Sequence, residues 1–157
     1  MENSIRKRIK RKFGCVFKIT LQDGILQNLG NTNIAFSPNL IVGNRLTFLP
    51  IKNFQISFLS KFVSEQYMGN IDSEKSKLES YFVSDLNINY KWKLNKTIKS
   101  IVFSGLVNNI FDLEYESNGY FYTYDDTWTG PTPNTIEGAG YYPQAGINFL
   151  LGASLNF

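Results

Sequence analysis

The chain contains no histidine, which removes in one step the commonest general base, the His-dependent nucleophilic triads and most transition-metal sites. Its single cysteine, Cys15, excludes an internal disulfide framework. It has no run of about 18 apolar residues, so no transmembrane helix is expected. Membrane strands stay open, because they alternate in polarity and average to near-neutral hydropathy. The first residues supply no secretory leader either. Arg6–Lys12 is basic, but the apolar stretch Phe13–Phe17 behind it is stopped by Lys18, too short for a leader or lipoprotein core. If the protein works in an envelope, its export signal is expected to be missing from this chain.

What is present is aromatic and alternating. With 43% hydrophobic residues and a formal charge of +3 over 157 residues, the chain can order one domain or part of a larger one. Counting back by twos from the last residue gives Phe157, Leu155, Ala153, Leu151 and Phe149, all apolar. Between them stand Asn156, Ser154, Gly152, Leu150 and Asn148, mostly small or polar. Period two means an extended strand with one greasy and one wet face.

The same pattern recurs upstream. A strand over about Leu40–Leu49 places Leu40, Val42, Leu46 and Phe48 together, with Gly43, Arg45 and Thr47 opposite. After the turn Pro50–Asn53, a second runs from Phe54 to about Tyr67. It puts Phe54, Ile56, Phe58 and Phe62 on one face, interrupted by Ser60, and Gln55, Ser57, Lys61 and Glu65 on the other. A polar loop, Met68–Glu79, follows. The third strand sets Phe82, Leu86, Ile88, Tyr90 and Trp92, broken by Ser84, against Asp85, Asn87, Asn89 and Lys91. Tyr90 and Trp92 close one end of it, where a bilayer interface favours aromatic rings. The short turn Leu94–Lys99 leads into Ser100–Phe111, a long loop over about Asp112–Gln144, and a closing strand over about Ala145–Phe157. Phe13–Leu21 is a candidate further strand, and Gln22–Ser37 reads as loop with a turn signal at Asp23–Gly24. Connections alternate short and long, the rhythm of outer-membrane barrels. The fold expected is all-β: an antiparallel meander of about five or six long strands, an open segment of a large transmembrane β-barrel.

Several segments, taken as a set, carry a resemblance. They are Ser37-Pro38-Asn39, Ser60–Met68, Val107-Asn108-Asn109-Ile110-Phe111-Asp112 and Tyr141-Tyr142-Pro143-Gln144-Ala145-Gly146 before a terminal Phe. Together they resemble the C-terminal end of a TonB-dependent outer-membrane receptor of the kind common in Bacteroidetes. The resemblance covers residues 32–157 and leaves residues 1–31 poorly matched. It implies a barrel of about 22 strands around a plug, in the bacterial outer membrane, taking up a large scarce solute such as an iron chelate, cobalamin or a glycan. The implied partners are outer-membrane lipid, the remainder of the barrel, the plug through which the TonB complex would act, and the barrel-assembly machinery. The chain holds only a few such strands and is not expected to transport alone. Phe149, Leu151, Leu155 and Phe157 are similar to the assembly signal of such barrels.

The stretch Glu114–Trp128 gathers the candidate ligand residues Tyr115, Tyr120, Tyr122, Tyr124, Asp125, Asp126 and Trp128. Aromatic rings on an outer loop stack on sugars or planar ligands and orient polar groups through their hydroxyls. Asn118-Gly119 suggests a tight turn within it. Asp125 and Asp126, adjacent and unaccompanied, lack the spaced ligand set of a calcium loop, so no metal and no cofactor are expected. Gly138-Ala139-Gly140 lacks the third glycine and the strand–helix setting of a dinucleotide loop. Arg6–Lys12 has no interleaved aromatics, so no nucleic acid is expected either. No enzymatic constellation is found. Lys61, Lys91, Asp85 and Glu65 read as charges lining a wet lumen. The rival reading is a soluble β-sheet ligand-binding module, lectin-like, in which the greasy face would meet a second sheet.

Overall fold

The structure is a computed structural model and describes residues 13–21, 25–26, 32–94, 98–130, 132 and 134–157. The basic stretch Arg6–Lys12 and the turn signal Asp23–Gly24 lie outside the described residues. In chain order the strands are β1 Phe13–Leu21, β2 Ile25–Leu26, β3 Thr32–Asn33, β4 Leu40–Phe48, β5 Phe54–Val63, β6 Gln66–Tyr67, β7 Lys77–Leu78, β8 Tyr81–Lys93, β9 Ser100–Asn108, β10 Glu116–Asp126, β11 Asn134–Pro143 and β12 Asn148–Asn156. One 3-10 turn, Glu74–Ser76, precedes β7.

Six long strands form one antiparallel sheet in the order β1-β4-β5-β8-β9-β12. The sheet is open: β1 and β12 are its edges, and it does not close on itself. The other strands pair among themselves as β2-β3, β6-β7 and β10-β11. The all-β open meander expected from the alternation is the fold observed.

Register decides which side chains share a face, since directly opposed residues point the same way. Leu46 faces Phe58, Phe58 faces Leu86, Leu86 faces Val107 and Val107 faces Phe149. The next row reads Phe48, Ile56, Ile88, Gly105 and Leu151. Beyond it come Phe54, Tyr90, Phe103 and Ala153, then Trp92, Ile101 and Leu155. Five strands thus align their apolar sets without a slip, and no charged residue stands on that face in β4, β5, β8, β9 or β12. Its polar interruption is one row of Asn44, Ser60 and Ser84. The two serine hydroxyls bond each other at 3.0 Å and are buried beneath their larger neighbours, so neither is left unsatisfied.

This apolar face is not a core. Phe149 is 76% exposed and Leu151 85%, while Phe82, Trp92 and Phe103 are also exposed. Among the described residues the buried apolar side chains are Val63, Met68, Leu78 and Pro38, all at one end of the sheet. Among the described residues no second layer covers the face, unlike a sandwich, which hides such a surface against another sheet about 10 Å away.

The structure revises several boundaries. β4 ends at Phe48 and β9 at Asn108, and β12 begins at Asn148. The second strand stops at Val63, because Ser64 and Glu65 leave the ladder before β6 begins. The segment read as loop over Gln22–Ser37 contains the short β2-β3 ladder. The largest revision concerns Asp112–Gln144, expected as loop, of which most is the long hairpin β10-β11.

Candidate functional site

All three long connections leave the sheet at the same end. The connections from β1 to β4, from β5 to β8 and from β9 to β12 join strand ends there, whereas the short connections from β4 to β5 and from β8 to β9 join strand ends at the opposite end. The long connections hold one another. The backbone N–H of Asn33 donates to Asp72 Oδ1 (2.9 Å), that of Ala35 to Asn70 Oδ1 (2.9 Å) and that of Phe36 to the Tyr67 carbonyl (2.8 Å). Within 64–80, the Ser76 hydroxyl reaches the Ser73 carbonyl (2.8 Å), and Lys77 pairs with Glu65 at 2.9 Å. Met68 and Leu78 fill the interior of this assembly.

The hairpin β10-β11 rests on that platform by one face. Gly119 and Phe121 share this face with Tyr141, Ala139 and Glu137. Phe121 lies over Gly69, and Met68 Sδ lies against Gly119. The Ser73 hydroxyl donates to Glu137 Oε2 (2.7 Å), and the Tyr141 hydroxyl to the Lys75 carbonyl (3.0 Å). Asn118-Gly119, expected as a turn, is therefore inside a strand beside a bulge. Its glycine is required because a Cβ would strike Met68 and the backbone of Gly140. The reversal lies instead between Asp126 and Asn134.

The opposite face of the hairpin is a tyrosine ladder. Tyr120, Tyr122 and Tyr124 run parallel, with ring centroids 6.3 and 6.4 Å apart and planes within 15°. Tyr142 joins them, 6.1 Å from Tyr120. Tyr120 pairs with Gly140 and Tyr122 with Gly138, and each ring lies across the glycine opposite, where any Cβ would collide with it. The glycines thus serve as seats for aromatic rings, and the rings restore packing that glycine alone forfeits in a strand. Each of the four tyrosines stays about half exposed. A row of rings and hydroxyls of this kind suits extended polar ligands with apolar patches, sugars above all.

Of the residues singled out from sequence, Tyr120, Tyr122 and Tyr124 come together. Tyr115 does not: it stacks on Tyr81 at the base, centroids 4.4 Å apart, where desolvation, with Asp85 nearby, pushes its hydroxyl above the ordinary value. Asp125 accepts from the Thr135 hydroxyl (2.7 Å) on the packing side. Asp126 and Trp128 sit at the tip, and Trp128 is 95% exposed. Among the described residues no three acidic, histidine or cysteine side chains gather into a metal site. Tyr142, Gly138 and Gly140 are part of the ladder but are not among the candidate ligand residues read from sequence, since only pairing reveals that the glycines lie under the rings.

Asp126 organises the tip. Its carboxylate accepts the Trp128 N–H (2.9 Å) and the Thr129 hydroxyl (2.7 Å), which hold it below the ordinary carboxylate value. A depressed folded value stabilises the turn above the unfolded value, and that contribution disappears as pH falls through the folded one. Protection of the Trp128 amide, its exchange rate relative to the intrinsic rate at the same pH, is therefore expected to fall in acid below the ordinary aspartate range, and D126N to show the low protection at neutral pH. Exchange of D126N indistinguishable from wild type at pH 7 would remove this role.

At the base, the segments Val107–Asp112 and Tyr141–Gly146 are physically tied. Asn109, buried and left-handed (φ 49°), donates to the carbonyls of Leu113 (2.9 Å) and Ala145 (3.3 Å). Its own N–H goes to Asp85 Oδ1 (2.9 Å). Asp112, also left-handed (φ 51°), accepts from the Ile147 N–H at 2.7 Å. Asn and Asp tolerate this conformation where most side chains do not. Phe149, Leu151 and Leu155 stand on the apolar face of β12, Phe157 follows directly, and the outer edge of β12 has no strand beside it. Comparison with family models, with curated proteins and with solved structures finds no match for this chain.

Proposed function

We propose that this chain forms the C-terminal barrel strands of a TonB-dependent outer-membrane receptor, which takes up a large scarce solute: an iron chelate, cobalamin or a glycan. The observation that carries the reading is the apolar face itself. Five strands align it in register and keep it free of charge, and among the described residues nothing covers it. Hydrocarbon is the medium in which such a surface costs nothing, and a contiguous exposed apolar patch of this extent is foreign to soluble monomers. Strand lengths agree: nine to thirteen residues per long strand suit a tilted crossing of a bilayer. The short turns would face the periplasm and the hairpin the exterior, where the tyrosine ladder would meet solute. The open edges of β1 and β12 would be completed by further strands, since unpaired backbone in lipid is costly. The plug, the TonB complex acting through it and the barrel-assembly machinery would be the partners. We infer no catalysis.

The test is detergent dependence. The purified chain is expected to precipitate or associate in plain buffer and to give dispersed, β-rich, proteolysis-resistant material only in micelles or bilayers. A monomer that stays stable and soluble in plain buffer would overturn the lipid-facing assignment and favour the lectin-like alternative.

A further inference from the structure

The charges of the sheet are as unevenly distributed as its hydrocarbon. Lys18 opposes Gly43, and Gly43 opposes Lys61, so two lysines flank a glycine in one row of the polar face. Arg45, two residues from Gly43, adds a third cation on the same face, and Lys18, Arg45 and Lys61 are all exposed. Both ion pairs found among the described residues belong to Lys77, so none of these three cations is neutralised there. The carboxylate nearest in the rows, Asp85, accepts the Asn109 N–H and keeps its negative charge, so the two lysines outnumber a single anion in the lining.

Between the lysines lies a cavity of about 450 Å³, lined by Lys18, Gly43, Leu59, Lys61 and Asp85 among others. Gly43 forms part of its lining: a Cβ there would meet nothing nearer than two backbone oxygens at 3.9 Å. The volume falls within the ordinary range of small-molecule sites, roughly 300–1,000 Å³. The lysine backbones stand on alternate strands, about 10 Å apart by the usual strand spacing. Their flexible stems can close on one anionic group or hold two.

We propose that this row is a binding site for a multiply charged small anion, carrying carboxylate or phosphate groups. Lys18 and Lys61 clamp it from either side over Gly43, Arg45 adds positive charge to the same face outside the cavity, and Leu59 offers an apolar wall. The site rests on the reading above only in needing the polar face to be wet.

The experiment uses the full chain in micelles, titrated calorimetrically with citrate and, separately, with pyrophosphate at physiological salt. Saturable one-to-one binding is expected, and the stronger of the two titrants identifies carboxylate or phosphate as the preferred group. K18Q and K61Q are each expected to weaken it about tenfold, the loss of one charge-assisted bond. G43V keeps every charge but fills the cavity and should weaken binding at least as much. K91Q, at the far end of the same face, should leave it unchanged. Retained far-ultraviolet dichroism certifies each variant as folded. Absence of saturable binding by wild type would overturn the proposal while leaving the detergent dependence intact. Binding that falls equally in K18Q and K91Q but survives in G43V would overturn it too, since that is diffuse attraction to a basic surface.

Discussion

Lysine in place of Ile88 is expected to cost about 2–4 kcal/mol of folded-state stability in a bilayer, the range for a cation near the midplane of a barrel wall. By the tenfold-per-1.4 kcal/mol rule the folded-to-unfolded ratio would drop roughly 30- to 1,000-fold. Ile88 sits in the middle of β8 with Ile56 on one side and Gly105 on the other, far from either end where a long stem could snorkel to water. One residue away, Asn87 points to the polar face beside Ser57. The same substitution there should cost only about 1 kcal/mol, the loss of the hydrogen bond that half-buried Asn87 accepts from Asn89. Urea titration of the vesicle-bound chain measures both. Equal effects at Ile88 and Asn87 would mean that the two faces see the same medium, and the lipid assignment would be lost.

Leu78→Ala should have an effect of comparable size in a different place. Leu78 is 1% exposed, in the short β6-β7 ladder beneath the hairpin. Leu-to-Ala changes at such sites cost about 2–5 kcal/mol through lost transfer energy and the cavity left behind. Val63, Met68, Leu78 and Pro38 are the buried apolar residues among those described, so little other apolar packing backs the hydrogen bonds of the connection assembly. The hairpin leans on that assembly through Phe121 over Gly69 and Gly119 against Met68. Amide exchange in β6, β7 and β10 is therefore expected to accelerate by orders of magnitude in L78A, while β8 and β9 keep their protection. An equal loss of protection in β8 would show one cooperative unit where two are inferred here.

The six-stranded sheet was legible because alternation and register say the same thing. A strand such as Phe82–Trp92, with Asp85, Asn87, Asn89 and Lys91 interleaved, fits only one face outward, and a one-residue slip would expose every charge to the wrong side. Strand ends were less legible. Ser64 reads as a continuation of β5, yet its hydroxyl accepts the Leu40 N–H, which ends the ladder by local competition. The hairpin was missed for a different reason. Tyr120–Tyr124 has rings at Tyr120, Phe121, Tyr122 and Tyr124, so neither face looks apolar, and its partner carries Gly138 and Gly140, residues that ordinarily argue against a strand. The missing information is pairwise: large beside absent, a complement that no single segment contains. For the same reason the candidate ligand residues were found as a crowd, and only pairing separates the ladder from Tyr115 at the base and Asp125 on the reverse.

The placement of every long connection at one end also bears on biogenesis. If the sheet enters a bilayer from the side of its tight turns, residues 109–147, with six carboxylates, must be hauled through the greasy layer before β9 and β12 can zip together. Delivery of that cargo, rather than strand pairing, would then set the pace of insertion, and shortening it would hasten the process without touching the finished wall.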